Sequence, residues 1–258
     1  LDTLAENIQT ITTPGFGVYR QLTDSLGVLA GIYMGFSPSG PGQSGAESEE
    51  SVNVEYGIRY TTTDFSGELI AFESDYDNLL GRCRASDSDC QVGQEFSGGN
   101  VQVSGIEVTG QGQYELGDTM ILTSQINYTY SESKFKSSFF SQFSQWGLVN
   151  EGDELPYVPK HAGRWQVGLE SYLWALDMAV KYQHEMRETP GLGDITEGLH
   201  TDNITTIDVS ATWFVNEDVD LKILARNLTD DSSIVSHRPY GARPNLPRTL
   251  LAQVKYRF

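Results

Sequence analysis

The sequence contains no run of apolar residues approaching the roughly 20 that a membrane-spanning helix requires, so a helical membrane protein is excluded. Basic residues are also scarce: 17 lysines and arginines stand against 35 aspartates and glutamates, giving a formal charge of -18 over 258 residues. This balance argues against nucleic acid as a partner, because binding to phosphates requires a basic surface. The acidity by itself indicates solubility or habitat and predicts no activity.

Cysteine occurs only twice, at Cys83 and Cys90. The two lie close together in a polar segment without histidine, which suits a local disulfide better than a zinc site, since zinc needs four ligands. A disulfide in turn implies an oxidising compartment. A metal site that adds Asp87 and Asp89 is the alternative, but the disulfide is the prediction.

No catalytic constellation stands out. The histidines are His161, His184, His200 and His237. They are scattered, and no triad or metal-ligand spacing connects them. We therefore predict a protein that is not an enzyme and that holds no cofactor and no metal. The chain opens at Leu1 without a signal peptide, as expected of a mature or truncated piece.

What the sequence does have is a repeated alternation of apolar and polar residues, the pattern of strands with one apolar face. The final segment, 248–258, is the clearest example. Its apolar face carries Leu250, Ala252, Val254, Tyr256 and Phe258. Because the pattern recurs along the whole chain, it predicts an all-β fold.

Eleven strands are predicted, at 14–22, 26–36, 51–62, 65–77, 101–115, 119–132, 160–173, 176–187, 203–214, 218–229 and 248–258. Turns of a few residues join the two strands of each pair, as β-hairpins require. Much longer connections join one pair to the next, at 37–50, 78–100, 133–159, 188–202 and 230–247.

Strict alternation of short and long connections is typical of an outer-membrane barrel, which has short periplasmic turns and long extracellular loops. The strands also match the ~9 to 11 residues that cross a bilayer and exceed the ~5 to 6 usual in soluble sheets. We therefore predict an antiparallel, up-and-down transmembrane β-barrel, with the C-terminus in the periplasm and the long loops outside the cell. An odd number of strands cannot close an ordinary bacterial barrel, so the barrel is predicted to be partial.

Several motifs carry a family resemblance. They are residues 14–19 (PGFGVY), 27–42 (GVLAGIYMGFSPSGPG), 49–60 (EESVNVEYGIRY), 76–83 (YDNLLGRC), 103–108 (VSGIEV), 156–161 (PYVPKH), 225–230 (ARNLTD) and 238–248 (RPYGARPNLPR). With these motifs the chain resembles the C-terminal half of the barrel of TonB-dependent outer-membrane receptors, particularly ferric dicitrate transporters. The resemblance extends over essentially the whole chain and is more specific for the family than for the ligand.

The resemblance implies that residues 1–258 are the C-terminal portion of a barrel of 22 strands, of which about 11 are present. It also implies a plug domain that this chain lacks and that would contact TonB. The expected function is uptake of a ferric chelate, such as ferric citrate or a siderophore, in the outer membrane of a Gram-negative bacterium. The expected partners are the chelate, TonB, outer-membrane lipid and lipopolysaccharide, and this piece alone is not expected to transport.

An anionic chelate would require cations in the long loops, and arginine suits carboxylates because its planar fork pairs with both oxygens. The candidate ligand-binding residues are Arg82, Arg84, His237, Arg238 and Arg243. Ordinary solvation or pairing between loops is the alternative for each. Aromatic residues between 139 and 146 offer a cap for a ligand cavity or, alternatively, packing among the loops.

A different class of function is also compatible with the alternation. A passive outer-membrane barrel or a secreted structural or adhesive β-protein would show the same period of two, because a soluble sandwich buries its apolar faces and exposes its polar ones. The sequence alone does not distinguish these alternatives.

Overall fold

The computed structural model describes residues 10–40, 47–83, 91–141, 146–237 and 241–258. The regular structure of these residues is β throughout, and eleven strands form one antiparallel sheet in which neighbours follow chain order. No helix among them is long and apolar enough to cross a membrane. The predicted all-β, up-and-down topology is confirmed. Because the remaining sheets of the described residues have only two strands each, there is no second large sheet to form a sandwich.

The eleven strands vary in length from seven to sixteen residues. They are β1 (Gly15–Gln21), β2 (Leu26–Ser37), β3 (Glu49–Thr61), β4 (Phe65–Asp77), β5 (Val101–Leu116), β6 (Met120–Phe135), β7 (His161–Ser171), β8 (Trp174–Gln183), β9 (Ile204–Phe214), β10 (Val219–Arg226) and β11 (Thr249–Tyr256). Short turns and long connections alternate between them as predicted. The long connections are named L1 (38–48), L2 (78–100), L3 (136–160), L4 (184–203) and L5 (227–248), and all five lie at the same end of the sheet.

The sheet has one apolar and one polar face. An apolar row runs across five strands, because Val28 pairs with Ile58, Ile58 with Leu69, Leu69 with Val108 and Val108 with Tyr128. Many large apolar side chains on this face are exposed to the surroundings of the chain. An apolar surface of this extent is unsuited to water and suited to the hydrocarbon of a bilayer.

Aromatic side chains mark both ends of the apolar face. Trp174 of β8 lies opposite Trp213 of β9 at the end with the short turns. At the other end the Tyr128 hydroxyl is 2.7 Å from Nδ1 of His161, and His161 packs edge-on against His184. Such belts are typical of the two interfaces of a membrane barrel.

The sheet is open. Within the part of the chain that the structure describes, β1 pairs only with β2, and β11 pairs only with β10. Strand edges inside a bilayer leave backbone groups without hydrogen bonds, which costs several kcal/mol for each group. The expectation of a partial barrel is therefore confirmed, and the two edges need further strands in a membrane.

The largest differences from the predicted strand ends occur on three strands. β8 begins at Trp174 instead of residue 176 and ends at Gln183 instead of residue 187. β10 ends at Arg226, three residues early, because Asn227 adopts a left-handed backbone with φ of 48°. β6 continues to Phe135 because its last residues remain paired with β5.

The long connections are folded and contact one another. Each of L2, L3 and L5 contains a two-stranded hairpin that alternation did not predict. A small hydrophobic core at the bases of L2 and L3 contains Val101, Phe135 and Val149, which are almost completely buried. Of the aromatic residues predicted to cluster here, Phe139 and Trp146 pack around Phe135, Phe140 is exposed, and Phe143 lies outside the described residues.

Candidate functional site

The predicted cation of L2 is exposed. Arg82 ends the hairpin strand Leu80–Arg82, and its Nε donates a hydrogen bond of 3.3 Å to the carbonyl oxygen of Gly93. The next residue, Cys83, is 3% exposed. Arg84 and Cys90 lie outside the described residues, so the predicted disulfide partner and the second arginine have no structural account here.

The predicted histidine of L5 is anchored to L4. The backbone N–H of His237 donates to Glu188 Oε1 at 2.8 Å, and its Nδ1 lies 3.2 Å from Oε2 of the same carboxylate. The Glu188 side chain is only 1% exposed. His237 therefore holds L5 against L4, and its Nδ1 is already engaged. Its neighbour Arg238 lies outside the described residues.

Arg243, unlike His237, has an exposed side chain. It lies in the hairpin that pairs Ile234–Ser236 with Arg243–Pro244. Among the described residues, the Arg243 side chain makes no hydrogen bond and no ion pair. Its guanidinium is thus available to a carboxylate from outside the chain.

The predicted cations do not form one cluster in the part of the chain that the structure describes. Arg82 lies in L2, between β4 and β5, whereas His237 and Arg243 lie in L5, between β10 and β11. The nearest of these strands, β5 and β10, are five strand spacings apart, or about 24 Å along the sheet. Any joint action on one ligand would therefore have to span the opening of the sheet.

The structure reveals an ion-pair network between L3 and L4 that the sequence did not indicate. Arg187 is 7% exposed, and its Nε donates to Glu154 Oε2 at 2.9 Å. Lys160 Nζ lies 2.8 Å from Oε1 of the same carboxylate, and Arg187 Nη2 donates to the carbonyl of Gly193. Partners so distant along the chain leave no motif, so only the fold could identify them.

This network alters the acidity of Glu154. Burial raises the pKa of the Glu154 carboxyl, but hydrogen bonds from Lys160 and Arg187 outweigh it, so the pKa lies below its ordinary value of 4.5. Because the pKa of Glu154 is lower in the folded state than in the unfolded state, its ionised carboxylate stabilises the fold. This stabilisation is complete above about pH 4.5 and is lost as the pH falls through the lowered pKa.

We accordingly expect L3 and L4 to separate in acid. Hydrogen exchange of the Glu154 amide, which donates to the carbonyl of Gly191, should gain an extra pH-dependent acceleration below about pH 4.5. In the Glu154→Gln variant that extra acceleration should be absent. Equal pH profiles for the two proteins would contradict the role of the carboxylate.

The polar face of the sheet is rich in paired charges. Arg59 donates to Glu68 at 2.6 Å across β3 and β4, and Lys181 donates to Asp208 at 2.7 Å across β8 and β9. Among the described residues, no group of histidine, cysteine and acidic side chains could hold a metal ion. The alternative metal site with Asp87 and Asp89 lies outside those residues.

Comparison with solved structures gives the same fold. The ferric-catecholate import receptor Fiu from E. coli K12, in its closed form, matches with a TM-score of 0.70 and 18% identity over 95% of this chain and 34% of its own. The ferric citrate transporter FecA matches with a TM-score of 0.70 and 19% identity, over 95% and 38%. The ferric yersiniabactin uptake receptor FyuA from Yersinia pestis gives 0.69 and 19%, over 95% and 37%.

This chain thus spans between a third and two-fifths of the length of these three receptors. A search of curated proteins found no match. The family described as "TonB dependent receptor-like, beta-barrel" matches residues 3–228, which is most of the chain, and the eleven-stranded open sheet fits it. The chain belongs to the TonB-dependent receptor family and forms part of its β-barrel.

Proposed function

We propose that the chain is part of an outer-membrane receptor that takes up a ferric chelate, such as ferric citrate or a siderophore. The observation that carries the proposal is the family match over residues 3–228. The structure agrees with it, because the sheet has an apolar face, a polar face and folded loops at one end. The protein acts by binding and transport and performs no covalent chemistry.

The apolar face contacts outer-membrane lipid in this proposal. L1 to L5 extend outside the cell toward lipopolysaccharide and the ligand, and the C-terminus lies in the periplasm. The arrangement is supported by the lengths of the connections, because outer-membrane barrels have long loops outside and short turns inside. Residues 1–258 are then the C-terminal portion of the receptor.

The remaining strands come from elsewhere in the same receptor in this proposal, since the free edges of β1 and β11 need partners in a bilayer. A plug domain, also outside this chain, contacts TonB and rearranges to let the ligand pass. The half barrel by itself is therefore not a transporting unit.

Uptake by living cells tests the function. A strain that lacks its own ferric chelate receptors would receive the full-length gene and be given radioactive iron as ferric dicitrate or as a ferric catecholate. We expect accumulation of at least one chelate that disappears when TonB is deleted. Passive entry that continues without TonB would favour an ordinary barrel, and no entry of either chelate would contradict the proposal.

Ligand capture is proposed for Arg82, Arg84, His237, Arg238 and Arg243. Arg243 has the strongest support because its guanidinium has no partner among the described residues. We expect Arg243→Ala to weaken binding of an anionic ferric chelate by about fivefold, the value of one charge-assisted hydrogen bond in a partly hydrated site.

The measurement is equilibrium binding of the radioactive chelate to whole cells. Lys134→Ala is the matched control, because Lys134 is also exposed and also lacks an ion pair, but it lies on β6 outside L5. If both variants weakened binding equally, the loss would come from general charge, and Arg243 would have no specific role.

We also propose the disulfide between Cys83 and Cys90. Cys83 is buried, and Cys90, seven residues further along a polar segment, is the only other cysteine in the chain. Digestion of the unreduced receptor should release one cross-linked pair of peptides that contains both residues and separates on reduction. Recovery of both cysteines as alkylated single peptides without prior reduction would contradict the pairing.

A further inference from the structure

A second cluster of cations lies away from the loop residues discussed above. It surrounds a cavity of about 730 Å³ on the polar face, formed by β7 to β10, the start of β11 and the last residues of L5. The volume is within the range of small-molecule sites. L5 contributes Asn245, Leu246 and Pro247 to the wall, so the cavity lies directly beneath that loop.

The charge of this cavity is opposite to that of the whole chain. Its lining contains four cations and two carboxylates, although the chain has twice as many acidic as basic residues. The cations are Arg164, Lys181, Lys222 and Arg226. The cavity is thus a basic site in a strongly acidic protein.

The two carboxylates are already engaged. Asp208 accepts hydrogen bonds from Lys181 Nζ at 2.7 Å and from the backbone N–H of Asn227 at 2.9 Å. Asp177 accepts one from the Ser210 hydroxyl at 3.0 Å. Of the four cations, only Lys181 forms an ion pair with one of these carboxylates.

The other three cations form no close ion pair with a carboxylate in the described parts of the chain. Arg164 donates to the neutral side chain of Gln166 at 2.9 Å. The side chains of Lys222 and Arg226 make no hydrogen bond and no ion pair with any described residue, although Arg226 lies near enough to Asp208 for a Coulomb attraction. Seven other lysines and arginines of these parts form ion pairs with acidic side chains, whereas these three place unpaired charges around one cavity.

We propose that this cavity binds an anion that carries more than one carboxylate. Lys222 and Arg226 are four residues apart on β10, about 13 Å along the strand, and their long side chains suit separate carboxylates of one ligand. Arginine adds bidentate geometry. For the cellular ligand the inference rests on the proposed function, and it assigns to the receptor a second anion site beneath L5, which a chelate reaches after capture by the loops.

Citrate is a suitable probe, because it carries three carboxylates and its binding does not depend on transport. The full-length receptor, purified in detergent, would be titrated with citrate in a calorimeter at low ionic strength. We expect saturable binding that each of Lys222→Gln and Arg226→Gln weakens by about fivefold. Unchanged heat-dependent mobility on gels would establish that the variants are folded.

Lys255→Gln is the matched control. Lys255 belongs to the same polar face of β11, is exposed and has no ion pair in the described residues, but it does not line the cavity. Its replacement should leave citrate binding unchanged. An equal loss in all three variants would indicate general charge attraction and would overturn the proposal.

Absence of saturable citrate binding to the wild-type receptor would also overturn it, for example because acidic residues from the rest of the receptor occupy the cavity. The proposed function is tested separately. If citrate bound as expected but cells took up no ferric chelate, the anion site would stand and the uptake function would fail.

Discussion

Replacement of Phe135 by alanine should lower the free energy of unfolding by about 3–5 kcal/mol, the cost typical of removing a buried aromatic side chain. Phe135 is 1% exposed and lies at the end of β6, where it packs with Val101 and Val149. Its ring also meets Phe139 and Trp146 edge-on, with centroids 5.7 and 5.8 Å away. The cavity left by alanine would therefore be surrounded by rigid neighbours that cannot readily fill it.

The expected result includes a local effect. L3 should separate from L2 before the strands unfold, because this core is the main apolar contact between them. Both the separation of L3 from L2 and the unfolding of the strands can be measured during urea unfolding of the full-length receptor. The fluorescence of Trp146 would monitor the loops, and heat-dependent gel mobility would monitor the strands. Phe140→Ala is the matched control, because Phe140 is 78% exposed and should change stability by less than about 0.5 kcal/mol. Equal losses for the two variants would contradict the core assignment.

The strands could be predicted from the sequence because the information about them is local. Each strand alternates with a period of two, and each pair closes through a turn of a few residues, so neither feature depends on distant contacts. Pairing between neighbours along the chain then produces the observed order of the sheet. The apolar row that begins at Val28 and Ile58 follows directly from this register.

Strand ends were less predictable because distant residues determine them. Leu173 and Trp174 are both apolar, so alternation could not tell which of them belongs to the turn. The turn was predicted around Trp174, but in the structure β8 begins there, opposite Trp213. Beyond Gln183 the chain leaves the sheet. The Met186 amide then donates a hydrogen bond to the Thr201 hydroxyl within L4.

The candidate site was predicted only in part. Composition and the position of the long connections identified Arg82 and Arg243 as loop cations, and the structure leaves Arg243 without a partner among the described residues. The contact between Glu188 and His237 could not be predicted, because the two residues are 49 positions apart. The same holds for the cations beneath L5, which lie on different strands and become neighbours only through the pairing of the sheet.

A single residue joins that cavity to L5. Asn227 is 4% exposed and adopts a left-handed backbone. Its Nδ2 donates to the carbonyl oxygens of Asp231 and Leu246, both at 2.8 Å, and its Oδ1 accepts from the Asp231 amide at 3.0 Å. Its own backbone N–H donates to Asp208. The side chain of Asn227 thus closes L5 on itself, and its backbone N–H attaches the loop to β9.

Asn227→Ala should lower the free energy of unfolding by about 3 kcal/mol, because the carbonyl groups of Asp231 and Leu246 lose their donor and alanine disfavours the left-handed backbone. Asn227→Gly should recover about 1 kcal/mol, since glycine adopts that backbone freely but makes none of the side-chain bonds. Both variants should also weaken citrate binding, because Leu246 forms part of the cavity wall. Asn127→Ala, at an exposed position of β6, is the control. Urea unfolding of the full-length receptor provides the measurement, and a glycine variant as stable as wild type would show that the hydrogen bonds of Asn227 contribute nothing.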